Sequence, residues 1–260
     1  MIRDAAGAAD MPTLADIEQA AVRSWPALES EAIDGWLARC SSGGSTRANT
    51  VSALRYSGGD PERSLAAVED FYRARGVAAR FTMTEVDQPP GLDGLLAARG
   101  WRRSGEHVTM VKPIELLPAG KMADPPNLTI RLDDDPTSSW LGIYLDRITE
   151  NRRAAAPRII AGVPRPRIFL SCMRDGTVIG SGLTVIDGPL ASVQCMATSR
   201  SSSRTGAARL ILEHIQVVAA AQGCRALYLQ AEAENIAALT LYQSEGFHVA
   251  GRYHVREANG

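Results

Sequence analysis

The chain has 260 residues, enough for two domains of ordinary size. A hydrophobic share of 45% with 22% charged residues describes a folded globular protein, and 28 Lys and Arg against 29 Asp and Glu leave a net charge of −1, which gives no electrostatic basis for holding nucleic acid. No apolar run is long enough to span a bilayer, the opening MIRDAAGAADMPTL carries acids and lacks an apolar signal core, and Cys40, Cys172, Cys195 and Cys224 share no metal-binding spacing with one another or with the four histidines, so a cytoplasmic protein with buried thiols, no metal and no membrane partner is expected.

Apolar spacing predicts a helix over residues 13–22, followed by Trp25-Pro26 and a further segment over 32–38. A turn falls at Gly43-Gly44, and residues 46–51 read as the partner strand of a hairpin, with Arg47 and Asn49 on one face to fix its edge or to meet a polar ligand. Leu65, Val68, Phe71 and Tyr72 mark a helix that stops at Gly76. A strand over 77–84, a short helix over 92–98 closed by Gly100-Trp101, and a strand over 103–111 follow. The proline-rich stretch 113–126 (PIELLPAGKMADPP) reads as an interdomain connection, with the linker at 116–126.

Beyond it, a strand over 128–132 leads to Asp133-Asp134-Asp135-Pro136, whose acids suit the N-terminus of a helix carrying Trp140, Ile143, Tyr144 and Ile148. Residues 151–166 (NRRAAAPRIIAGVPRP) read as a mobile basic loop, with Arg152, Arg153, Arg158 and Arg165 available to an anion. A hairpin over 168–186 turns at Asp175-Gly176, and Gly180 and Gly182 in its second strand signal a bulge or a close backbone approach.

The stretch 191–255 organises the rest. A strand over 193–198 ends in Ser199, Arg200, Ser201, Ser202, Ser203, Arg204 and Thr205, then Gly206 opens a helix with Ala207, Leu210, Ile211, Ile215 and Val218 on its apolar side. The unpaired N–H groups at such a junction, with the helix dipole, form an anion site. Ser203 and Thr205 are placed to cap the helix, and Arg200, Arg204 and Arg209 to add charge. A flexible serine-rich connection is the plain reading of these residues alone. A second strand at 226–231 leads to Asn235, then six residues, Tyr242, three residues and Gly246-Phe247, where a left-handed glycine ends the helix.

This succession resembles the GCN5-related N-acetyltransferase (GNAT) superfamily. The late family motif falls on residues 227–247 and its acetyl-coenzyme A motif on Ser203, Arg204, Thr205, Gly206, Ala207 and Ala208, with Ser203 standing where the family has Arg or Gln. The order of short helix, Gly-aromatic and strand also occurs earlier: LLAARGWRRSGEHVTMV parallels LTLYQSEGFHVAGRYHV, with Ala97 set against Tyr242. The fold implied is α/β (α+β), a mixed, mostly antiparallel twisted sheet flanked by helices, in a tandem: a degenerate GNAT-like domain at 1–115, the linker, and an acetyl-CoA-binding domain at 127–260.

The resemblance further implies acetyl transfer from acetyl-CoA to a primary amine of a small molecule or of a protein N-terminus or lysine. The backbone at Met196, Ala197 and Thr198 would pair with the pantetheine arm, Asn235 would cap its helix and touch that arm, and Tyr242 would serve as general acid, a phenol of reference pKa about 10 facing a thiolate leaving group. Glu232, with Glu234 behind it, is the carboxylate nearest to the base role. An acyl-CoA sensor without catalysis is the alternative from another class, and a nucleotide-binding structural protein a third.

Overall fold

A computed structural model describes residues 11–41, 45–114 and 127–259. The expected linker and the turn at Gly43-Gly44 lie outside the described residues. The first half begins with α1 (Leu14–Ser24), closed at its start by a reciprocal cap in which the Thr13 hydroxyl accepts from the Asp16 N–H and Asp16 accepts from the Thr13 N–H. β1 (Glu29–Ile33) and β2 (Trp36–Cys40) form a hairpin about Asp34-Gly35, both at positive φ.

Residues 46–51 do not pair as a hairpin strand. Thr46–Ala48 is a 3₁₀ turn, held because Asn49 Oδ1 accepts from the Ser41 N–H at 2.7 Å and its amide donates to Ser45 O; only Val51–Ser52 is extended, as β3. Then come α2 (Pro61–Arg73), β4 (Arg80–Met83), α3 (Leu92–Ala98) and β5 (Arg102–Pro113).

The second half runs β6 (Thr129–Asp133), α4 (Ser138–Arg147), α5 (Glu150–Arg153), α6 (Ala156–Ala161), β7 (Arg167–Arg174), β8 (Thr177–Asp187), β9 (Leu190–Ser192), β10 (Gln194–Thr198), α7 (Ala207–Ala221), β11 (Ala226–Glu232), α8 (Ile236–Ser244) and β12 (His248–Glu257). Two expectations change here. Thr137, not the acidic run, caps α4; Asp133 pairs with Arg131, and Asp135 with Arg165 and Arg167, because those arginines lie across the strand end. Residues 151–166 hold two short helices rather than a loop, since Ala156, Ile159 and Ile160 bury against Trp140 and Phe169.

The strands join in the order β1-β2-β3-β4-β12-β5-β11-β9-β8-β7-β6, with β10 on β8. All pairs are antiparallel except β3 with β4 and β9 with β11. The sheet is therefore mixed, mostly antiparallel and flanked by helices, and the two halves exchange their last strands. β5 of the first half lies between β11 and β12, and β12 lies between β5 and β4.

The internal repeat extends to the hydrogen bonds. Trp101 N–H donates to Leu96 O and Phe247 N–H to Tyr242 O, each at 3.0 Å, around Gly100 and Gly246 at positive φ. This cap sets Leu96, not Ala97, against Tyr242.

Helix α1 belongs to the first half by sequence but covers the second. Ile17, Ala20 and Ala21 pack on Val111, Leu190, Ala226 and Tyr228, and Arg23 pairs with Asp187 at 2.7 Å. Gly182 is the close approach read from sequence: a Cβ there would meet Ile211 of α7 at 2.4 Å.

Candidate functional site

Strands β9 and β11 run together only as far as Ser192 and Tyr228, with one further bond from the Val193 N–H to Tyr228 O at 2.8 Å. Cys195, at φ 52°, then forms a bulge that swings β10 away from β11 and onto β8. The Ser199 N–H donates to Ile179 O at 2.8 Å, and Ala197 and Ser181 are partners. Strand alternation thus commits the Ala197 backbone to β8 and turns the N–H and C=O of Met196 and Thr198 into the gap.

The gap opens into a cavity of about 580 Å³ lined by Met196, Ala197, Thr198, Ser203, Arg204, Thr205, Gly206, Ala207, Ala208, Asn235 and Tyr242. Every residue expected to touch the cofactor lies on this wall. The cap of α7 differs from expectation. Gly206, at φ 87°, holds the N-cap position with no side-chain cap; Thr205 Oγ1 donates to Ser202 O and Ser203 Oγ to Arg200 O instead. The left-handed backbone turns these hydroxyls back into their own loop, and the first helical N–H groups face the cavity uncapped. Arg209 pairs with Glu245 and Arg200 with Asp146, leaving Arg204 as the loop cation with no ion pair among the described residues. Asn235 Oδ1 accepts from the Ala238 N–H at 3.2 Å and caps α8.

A second cavity of about 310 Å³ continues from the first, sharing Arg147, Met196, Asn235, Ala238 and Tyr242. Its walls come from both halves. Burial pushes the Tyr242 phenol up to about 12, so it stays protonated through the neutral range. Among the described residues Glu232 is the only carboxylate on this wall; it is exposed and pairs with Arg152 at 3.4 Å. Glu234 is absent from the lining of either cavity. Of the other expected arginines, Arg153 donates to Leu145 O and Arg165 pairs with Asp135.

Several residues here had no assigned role from sequence, and Arg47 is read there as fixing a hairpin edge or meeting a polar ligand. His107 of β5 stands opposite Glu232 and stacks on Tyr253 of β12, centroids 4.6 Å apart. Its Nδ1 bonds Gly105 O, which leaves Nε2 as an acceptor, and burial lowers its pKa. Arg47 lies over the Trp25 ring at 4.9 Å. Gln194 is buried, its amide donating to Ser24 O and Ser192 Oγ. Behind Gln230 a pocket of about 20 Å³, room for one water, holds Glu18 and Asp87. Glu18 accepts from Thr109 Oγ1 and from Gln230 Nε2, and burial raises it to about 7; Asp87 is raised to about 6 by the same cause. Only the amphipathic period of α1 bore on Glu18 in the sequence, and that period places it inside without naming its partners.

Comparison with known proteins agrees with this architecture. Residues 13–256 match the family described as "Probable histone acetyltransferase Rv0428c C-terminal". An uncharacterized N-acetyltransferase, YobR of Bacillus subtilis (strain 168), is 26% identical over 250 residues, covering 95% of this chain and 99% of that protein. Among solved structures, a GCN5-related N-acetyltransferase from Kribbella flavida has a TM-score of 0.64 at 16% identity, with 95% of each chain covered. A tandem GNAT protein from the clavulanic acid biosynthesis pathway has a TM-score of 0.63 at 16% identity, covering 80% of this chain and 74% of its own. With the family matched from end to end of the described sheet, the chain belongs to the Rv0428c C-terminal acetyltransferase family, and is an acyltransferase of the GNAT superfamily.

Proposed function

We propose that the chain transfers an acetyl group from acetyl-CoA to a primary amine within a ternary complex. The observation that carries this reading is the parting of β10 from β11 beside an uncapped helix N-terminus, with a cavity at that corner that shares lining residues with a second in the cleft between the halves. The α7 N–H groups and Arg204 suit a pyrophosphate. The outward edge formed by Met196 and Thr198 suits the amides of the pantetheine arm, in the way an extended peptide adds to a sheet edge.

When bound, acetyl-CoA supplies an acyl carbon that forms a C–N bond to the amine as its C–S bond breaks. The Met196 N–H is the donor available to the carbonyl oxygen. Tyr242 donates its proton toward the departing sulfur; with its pKa raised, it acts through a hydrogen bond to the developing thiolate. The surplus amine proton passes to Glu232 or, through solvent, to bulk. The first half, residues 1–115, serves as a wall of the acceptor cleft through Arg47, His107 and Tyr253 brought alongside it.

Thiol release from acetyl-CoA in the presence of an amine panel tests this reading. Tyr242→Phe is expected to lower kcat by ten- to a thousandfold, in line with the usual contribution of a positioned proton donor, with coenzyme A affinity measured by calorimetry little changed. Undiminished turnover in that variant removes Tyr242 from the chemistry. Failure of the wild type to bind coenzyme A removes the donor.

A further inference from the structure

The cleft between the halves carries two unmatched features, and the first of them describes an acceptor. The first is positive charge. Arg47, Arg147 and Arg152 line the cleft against the single carboxylate of Glu232, which Arg152 already engages. Among the described residues neither Arg47 nor Arg147 has a carboxylate within ion-pair distance. Arg147 also borders the donor cavity, but Arg47 does not. Arg47 is held in place. Its guanidinium rests on Trp25, a fully enclosed ring whose Nε1 donates to Ser45 Oγ at 3.1 Å, and the turn that carries it is pinned by Asn49.

The second feature is an unpaired acceptor. Gln194 is 6% exposed, and both hydrogen bonds it makes are donated by Nε2, to Ser24 O at 3.3 Å and Ser192 Oγ at 2.9 Å. Those two partners fix the amide orientation, and Oε1 is left buried with no partner. Gln194 lies two residues before Met196, whose side of the strand borders the donor cavity, whereas Arg47 lies on the cleft wall shared with the Glu18 pocket. Oε1 is enclosed and shapes the wall beside the donor, so the feature open to a ligand is the charge of Arg47, on the cleft wall away from the donor cavity.

We infer that the acceptor is an amine bearing a carboxylate, an amino acid or small amino-acid derivative, with its carboxylate on the Arg47 guanidinium. The planar fork of an arginine fits a carboxylate in two parallel hydrogen bonds. The stacked pair of His107 and Tyr253 and the ring of Tyr144 give the side chain an aromatic wall. A polycation, such as a polyamine or a lysine-rich tail, meets three arginines here and only Glu232 in return.

This inference rests on the acetyl-transfer reading above, and the test separates the two. Initial rates of acetyl transfer are measured with the full chain, acetyl-CoA, a panel of free amino acids, the matching amino-acid amides, spermidine and a lysine-containing peptide, alongside calorimetric titration with coenzyme A. For the amino acids that react, kcat/KM is expected to exceed that of the matched amide at least tenfold, through KM. Arg47→Gln is expected to bring that ratio close to one, and Arg47→Lys to restore part of it. Equal or faster transfer to amides, spermidine or the peptide overturns the inference. So does a ratio unmoved by Arg47→Gln, or the lack of transfer to any free amino acid by a chain that binds coenzyme A. The wild-type ratio decides by itself if the variant does not fold. A chain that does not bind coenzyme A fails the parent reading first.

Discussion

Glu18 is a carboxyl group placed where ionisation is costly. It lies 4% exposed between Thr109 and Gln230, and desolvation raises it from 4.5 to about 7, with the nearby Asp87 adding to the rise and the more distant Arg47 opposing it. A carboxyl whose folded pKa is raised contributes stability below the unfolded value, and that contribution is lost as pH rises through the folded value. Between about pH 4.5 and 7 the protein should lose up to about 3 kcal/mol on this account. Glu18→Gln keeps an oxygen to accept from Gln230, places an amide N–H against the Thr109 hydroxyl, which then accepts instead of donating, and removes the charge. It should melt above the wild type at pH 8, with the gap closing by pH 4.5; thermal melts across that range check it. The residues legible from sequence were those set by short-range spacing. Asn235, Tyr242 and the 203–208 loop stand on one strand–helix junction or the next, where a few residues of separation fix the geometry. Glu18, His107 and Tyr253 are brought to the cleft by pairings more than fifty residues long, which no local pattern encodes.

Among the elements, helices and hairpins with a clear period or turn signal were readable. α1, α2, α3, α7, α8 and the β7–β8 hairpin fall close to where periodicity places them. The β1–β2 hairpin carried a signal as well, in Asp34-Gly35, the pair best suited to two consecutive positive φ values. The helices at 150–161 did not, because arginine and proline mask a small apolar face that only Trp140 and Phe169 make visible. Packing between elements is sharpest where α7 crosses β8. Gly182→Ala forces its new Cβ into Ile211, and because Met196 Sδ stands 3.2 Å away there is little room to shift. It should cost about 1–3 kcal/mol, read as a lower melting temperature. Gly142→Ala in α4, where nothing lies within 4 Å of the new methyl, should instead stabilise by about 0.5–1 kcal/mol.

For the molecule as a whole, the sequence repeat announced two related halves but not how they are joined. Strand pairing is a non-local choice, and neither the buried run of β5 nor the alternation of β12 names a neighbour. We propose that the halves form one cooperative unit. A fragment of residues 127–260 leaves β11 without β5, β12 without either neighbour, and Leu190 and Tyr228 without α1. Expressed alone, it should show no cooperative melt and should elute as aggregate in size-exclusion chromatography. A sharp transition from a monomeric fragment refutes the single unit.

The exchanged strands also set a timetable for synthesis. On the ribosome most domains close as they emerge, early segments first. Here the first half has to wait, since the place between β4 and β5 is taken by residues 248–257, translated after every other strand. Until then two sheet edges and the apolar faces beside them stay open to other chains. Loss of residues 248–257 therefore injures both halves at once. The nascent chain should lean on holding chaperones until β12 emerges.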